Sequence, residues 1–348
     1  MSARLHAVTA EVDFGRIARA VDTTLEDFLE DRARHPIDRC LPPLVDVVRE
    51  FLGGGGRSRP LFCYCGWLAG DGDPAGGPVP RLGAALELFH AFALIHDDVL
   101  DGAALREGRP TVHRLLRGGY HGKDDSAAGR FGVNAAILLG DLCLTWADEL
   151  LYTGTADQDR IRRAEPVLHS MRSEVLIGQY LDLEGGWTED VLDRSWRTLR
   201  HKTAAFTVER PLQVGALAAG VRPEALRACG AYGRPLGEAF QLEDEMLGVF
   251  GDRDSLGALR AGKRTVLMAL TWRRAGKRQR ELIGKLYGDP ELDRDGAERL
   301  RTIVQDTGAD LAIGDLIEAR KREALAALAT PALPRVARGA LARLAGGR

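Results

Sequence analysis

"AAILLGDLCLTWADELL", residues 135–151, fits helical spacing and is apolar on nearly every side. Such a segment is expected to be a helix buried among other helices. The same spacing recurs outward from it, at 82–101, 133–152, 166–183, 199–220, 231–250, 264–287 and 310–330. Ala, Leu, Arg and Glu dominate, and β-branched alternation is almost absent. Gly/Pro-rich connections break the pattern at 53–60, 69–80 and 251–262. None is long or polar enough for an interdomain linker, and no repeat or low-complexity tail is present. We therefore expect an all-α fold, a single domain over residues 1–348 with roughly ten or more helices.

The bulk composition narrows the function classes. The 48 basic and 50 acidic residues leave a net charge of -2, which gives no reason to expect nucleic acid or an anionic membrane as partner. The five cysteines (Cys40, Cys63, Cys65, Cys143, Cys229) contain no CxxC pair and read as reduced core residues. Residues 1–30 mix Arg, Glu and Asp without the apolar core of a signal peptide. No uninterrupted run of about 18 apolar residues occurs. The expectation is a cytoplasmic protein that does not span a membrane.

The chemistry begins at "LIHDDVLDG", residues 94–102. On a helix Asp97, Asp98 and Asp101 share an arc of about 100°. Three hard oxygen donors on one face suit Mg²⁺ shared with a substrate phosphate. The bland alternative is a solvated acidic face, but the preceding "HAFALI" is too apolar for one and cationic Arg106 follows within two turns. A second acidic group, Asp244 and Glu245 with Asp252 beyond, follows another apolar stretch. Two such clusters on buried helices could hold several Mg²⁺ against one diphosphate while a carbon–oxygen bond ionises. Pairing of Asp244 and Glu245 with core arginines is the competing reading.

Seven blocks, in order over roughly residues 50–270, carry a resemblance. They are "GGGGRSRP" (53–60), "ELFHAFALIHDDVLDGAALREGRPTVH" (87–113), "ILLGDLCLTWADEL" (137–150), "SEVLIGQYLDL" (173–183), "HKTAAFTVERPLQVGALAAG" (201–220), "YGRPLGEAFQLEDEMLGVFGD" (232–252) and "GKRTVL" (262–267). The chain resembles the trans-isoprenyl diphosphate synthases of the polyprenyl synthetase family, especially actinobacterial short-chain members. That resemblance implies a helical barrel of the class I isoprenoid synthase type with a deep apolar cavity. It further implies an allylic diphosphate held by Mg²⁺ at two Asp-rich motifs, isopentenyl diphosphate as acceptor, and a homodimer. Asp97, Asp98 and Asp101 match the first motif; Arg106 matches the arginine on the allylic diphosphate. Lys202 and Thr203 match the Lys-Thr pair, and Gln241, Asp244 and Glu245 fall in the second motif. Lys263 matches the lysine of the "GKRT" segment. Arg57 and His90 match acceptor-site residues, and Phe92, with small Ala93 beside it, matches the floor of the elongation cavity.

Departures from the family pattern concentrate at the acceptor. Gly56 stands where a lysine is usual, and Glu107 where an acceptor-binding arginine is usual. Glu245 replaces an aspartate, and the 251–265 stretch is shorter than usual and lacks one lysine. Losing a charge-assisted hydrogen bond costs about 1.5–3 kcal/mol. An opposed charge at roughly 4 Å adds about 4 kcal/mol at an effective dielectric near 20. Three readings follow: a chain-elongating synthase in which groups such as Arg109 compensate, a diverged enzyme with another acceptor or a cyclase, and a regulatory subunit of a hetero-oligomeric synthase.

Overall fold

The computed structural model describes residues 12–106, 108–153, 158–251 and 255–346. The chain opens with α1 (Phe14–Arg34), α2 (Leu41–Leu52) and α3 (Ser58–Ala69), followed by the long α4 (Val79–Leu100). A two-stranded hairpin, β1 (Leu105–Arg106) and β2 (Arg109–Pro110), leads into α5 (Val112–Leu116), α6 (Asp125–Tyr152) and α7 (Gln158–Leu183). Then come α8 (Val191–Thr198), a π-helical segment (Leu199–Glu209), α9 (Arg210–Ala219) and α10 (Pro223–Phe250). The last elements are α11 (Ser255–Ala261), α12 (Val266–Arg274), α13 (Lys277–Leu286), α14 (Arg294–Asp306), α15 (Ala309–Ala327) and α16 (Arg335–Gly346).

The hydrophobic pattern explains the placement. α1 buries Ile17, Val21, Leu25 and Leu29, one residue per turn, after Asp13 caps its first turn by accepting from Arg16 N–H. α4 is buried almost all round between Leu82 and Phe92, where α1, α3 and α6 pack on it. Its C-terminal turns carry the aspartates, with Asp97 and Asp98 buried and Asp101 exposed. α3 and α9 cross closely at Gly66 and Gly215, where any Cβ would strike the opposite backbone. Two apolar clusters result. One is built largely from α1–α7 and α9, and the other from α11–α15; α10 and the π segment contribute to both.

Several expectations shift. The helical architecture is as expected, with only the short 105–110 hairpin added. The periodic stretch 264–287 is two helices, because Ala275 and Gly276 leave helical geometry before Lys277. α6, read as wholly buried, is not: Gly140, Cys143, Trp146 and Ala147 face inward, while Phe131, Ile137 and Leu138 (68% accessible) are exposed. By length and composition α6 is the one described helix long and apolar enough to cross a membrane. Of the cysteines, Cys63, Cys65, Cys143 and Cys229 are buried, but Cys40 is exposed.

Candidate active site

α4 and α7 both end at one ionic cluster. Asp97 Oδ1 accepts from Lys202 Nζ at 2.7 Å and from Gln179 Nε2 at 3.0 Å. Lys202 also donates to Asp182 at 2.6 Å. Lys263 Nζ lies 3.2 Å from Asp97 Oδ2, 2.5 Å from Asp101 Oδ2 and 3.7 Å from Asp182. Asp98, only 2% accessible, is gripped in a fork by Arg106, with Nε at 3.0 Å from both oxygens and Nη2 at 2.7 Å from Oδ1. The hairpin makes this grip possible: Gly108, at φ 79°, turns the chain so that β1 brings Arg106 back onto α4.

Local backbone geometry aims these groups. Lys202 and Thr203 sit in the π-helical segment, whose wide turn is common at functional sites. A Cβ at Gly178 would strike the Lys202 backbone, and one at Gly237 would strike Ala204. The segment is thus held between α7 and α10 at contact distance. Lys263 is fixed by its own carbonyl, which accepts from Tyr287 O–H at 2.5 Å.

Electrostatics follow from the pairing. Burial would raise the Asp97 carboxyl, but the Lys263 and Lys202 ammoniums outweigh it and hold Asp97 well below the usual carboxylate range. At Asp101 burial wins and the carboxyl is raised. Lys263 is raised despite burial, because Asp97, Asp101 and Asp182 surround it. Four carboxylates face three cations, so the cluster as it stands is one negative charge from neutral.

Two cavities meet at this point. The first, about 180 Å³, runs beneath Asp97 and Lys202 and is lined by Phe92, Ala93, Leu94, His96, Val175, Leu176, Thr203 and Phe206. The second, about 650 Å³, is lined by the Gly53–Gly56 loop, Arg57, Glu87, Arg106, Arg109 and Thr111. His90 and Leu94 line both. His90 Nδ1 and Glu87 Oε1 are buried without a hydrogen-bond partner, as expected where a polar ligand belongs. Burial first, then Arg59, Arg106 and Arg57, push the His90 imidazole well below its ordinary range, so it is neutral.

Several expected site residues are placed differently. Arg57 adopts a left-handed backbone (φ 50°) and spends its donors within the protein. Nε goes to Asp22 at 2.7 Å, Nη1 to Glu87 at 2.9 Å and Nη2 to the Leu52 carbonyl at 2.8 Å. Glu245, expected on a metal, is turned elsewhere: Oε2 accepts from Leu267 N–H at 3.0 Å at the start of α12. Its longer side chain reaches that helix terminus, and burial pushes its carboxyl up to about 8. Asp244 is exposed on α10, and neither it nor Gln241 lines the two cavities. Glu107 and Asp252 lie outside the described residues. Gln179 and Asp182 were missed, although both stand in the 173–183 block, three residues apart on one face of α7.

The donor set suits Mg²⁺. The Lys263 ammonium bridges Asp97 and Asp101, marking room for a small cation between two hard oxygen donors. Among the described residues no three metal-binding side chains enclose an ion by themselves, so the remaining ligands would have to come from water or substrate oxygens.

The polyprenyl synthetase family model matches residues 42–305. A geranylgeranyl diphosphate synthase of Mycobacterium tuberculosis is 33% identical over 273 residues, 76% of this chain and 70% of that protein. A farnesyl diphosphate synthase of Escherichia coli is 32% identical, covering 75% and 88% of the two chains. A crystal structure of a Corynebacterium glutamicum geranylgeranyl pyrophosphate synthase, complexed with isoprenyl diphosphate and magnesium, superposes with a TM-score of 0.87. It is 33% identical, and the match covers 96% of this chain and 98% of that one. The chain belongs to the polyprenyl synthetase family and is a prenyl-transferring enzyme of isoprenoid chain elongation.

Proposed function

We propose that this enzyme ionises an allylic diphosphate at the Asp97–Asp101–Lys263 cluster and joins its prenyl chain to isopentenyl diphosphate held in the second cavity. The junction of the two cavities at His90 and Leu94, directly below the ionic cluster, carries this reading. Asp97, Asp98 and Asp101 would hold Mg²⁺, with Asp244 approaching from α10 when the diphosphate is bound. Bound there, Mg²⁺ would neutralise charge developing on the departing diphosphate. Lys202, Lys263 and Arg106 add fixed cations to the same oxygens, Thr203 offers a hydrogen bond, Gln241 would join with Asp244 from α10, and the apolar first cavity receives the chain and excludes water. Phe92 closes its far end. Arg57, His90 and Arg109 face the acceptor. The working location is the cytoplasm.

A non-isopentenyl acceptor is the second reading. It is favoured by Gly56 and by the internal commitments of Arg57, which leave few free cations around the second cavity. Asp101→Ala tests the shared ionisation step. Asp101 sits exposed at the C-terminal end of α4, whereas removing Asp98 would also take from half-buried Arg106 its forked carboxylate partner. Mg²⁺-dependent diphosphate release should fall at least ~100-fold, about 2.7 kcal/mol, with helix content unchanged. Release at the natural rate would refute ionisation at this cluster.

A further inference from the structure

Phe92 and Phe206, which line the first cavity, both pack against Phe89 behind them. Phe92 lies against Phe89 with ring centroids 5.5 Å apart, and Phe89 meets Phe206 edge-on at 5.2 Å. Beyond them is a charge. The Arg172 guanidinium lies 5.9 Å from the Phe89 centroid, pairs with Asp148 of α6, and has a buried Nε without a partner.

Depth along the helices is consistent with this order. α4 and α7 run with their C-terminal ends at the ionic cluster. At about 1.5 Å per residue, Phe92 is about 7.5 Å back from Asp97 and Phe89 about 12 Å. On α7, Arg172 is about 10.5 Å back from Gln179, one turn below the cavity-lining Val175 and Leu176. We propose that the Arg172–Asp148 pair is a second, polar stop to chain growth, set behind the aromatic floor. A ring can be displaced or trimmed, and the space gained still welcomes apolar carbon. A guanidinium that already lacks one partner cannot be covered by hydrocarbon without losing further polar contact, which is costly. Arg172 is thus a specificity-determining residue for product length. This rests on the reading of the first cavity as the tunnel for the growing chain.

The test compares products of the purified natural enzyme, Phe92→Ala, Arg172→Met, Phe92→Ala/Arg172→Met and Phe92→Ala/Arg172→Lys, each given geranyl and isopentenyl diphosphate. Arg172→Met alone should keep the natural product, because the aromatic floor remains. Phe92→Ala should lengthen the main product by one five-carbon unit. The Met double variant should add at least one unit more, while the Lys double variant, which keeps the charge, should match Phe92→Ala. If the Met double variant does not fold, Arg172→Gln, with a neutral hydrogen-bonding end, takes its place. A lengthened Phe92→Ala product that the double variant does not lengthen further would overturn the polar stop alone. An unchanged Phe92→Ala product would overturn the tunnel reading and the polar stop with it.

Discussion

Lys263 is the residue on which the ionic cluster turns. Among the described residues it alone bridges Asp97 and Asp101, so Lys263→Met leaves those carboxylates and Asp182 facing one another with a single ammonium, Lys202, between them. We predict that turnover falls at least ~30-fold, about 2 kcal/mol, while the Mg²⁺ concentration for half-maximal rate drops, because a competing cation is gone. An unchanged Mg²⁺ dependence would contradict the bridging role. At the proposed acceptor site, a Cβ added to Gly56 would meet nothing within 4 Å, and the backbone there is not left-handed, so a lysine fits without strain. Gly56→Lys should improve use of isopentenyl diphosphate by at least ~10-fold, or about 1.4 kcal/mol, read as kcat/KM. No gain would mean that cations already present suffice. The aspartates, Arg106, Lys202 and Lys263 were legible because motif spacing brings them forward together. Gln179 and Asp182 carry no motif of their own, and the capping of α12 by Glu245 depends on a partner 22 positions away.

At the scale of elements, the π-helical segment and its glycine neighbour position Lys202. Gly178→Ala would push a methyl group into the Lys202 backbone. Overpacking of this kind costs about 1–3 kcal/mol. The melting temperature should therefore drop by about 1–4 °C, since an unfolding entropy of about 2.1 cal/mol/K per residue makes each kcal/mol worth roughly 1.4 °C in a chain of 348 residues. kcat should fall more than KM rises, since Lys202 is displaced from Asp97 and Asp182. A variant that melts lower yet keeps the natural kcat would separate the segment from catalysis. Helix type and approximate placement were readable from periodicity, since α6, α7 and α10 contain the expected stretches and α4 and α15 stop short of theirs only at the C-terminal end. The π widening and the exposed face of α6 were not, because both depend on what packs alongside; the break at Ala275–Gly276 does have a local signal, a glycine whose N–H donates to the Gln279 side chain three residues on.

At the scale of the whole molecule, the exposed apolar residues of α6 ask for a cover. We propose that a second copy supplies it, forming a homodimer across Phe131, Ile137 and Leu138. Light scattering should then give twice the 37.8 kDa chain mass, and Leu138→Arg should give the single mass with the helix signal retained. A monomeric natural protein would refute this. The two apolar clusters share α10 and the π segment, which supports one folding unit over the described chain. The account as a whole is tested most directly by product identification. Purified enzyme with Mg²⁺ is given dimethylallyl, geranyl, farnesyl or geranylgeranyl diphosphate, with and without isopentenyl diphosphate, and the products are resolved by mass. The account predicts chains extended in five-carbon steps only when isopentenyl diphosphate is present; diphosphate release giving unextended or cyclic hydrocarbon whether or not it is present would contradict it.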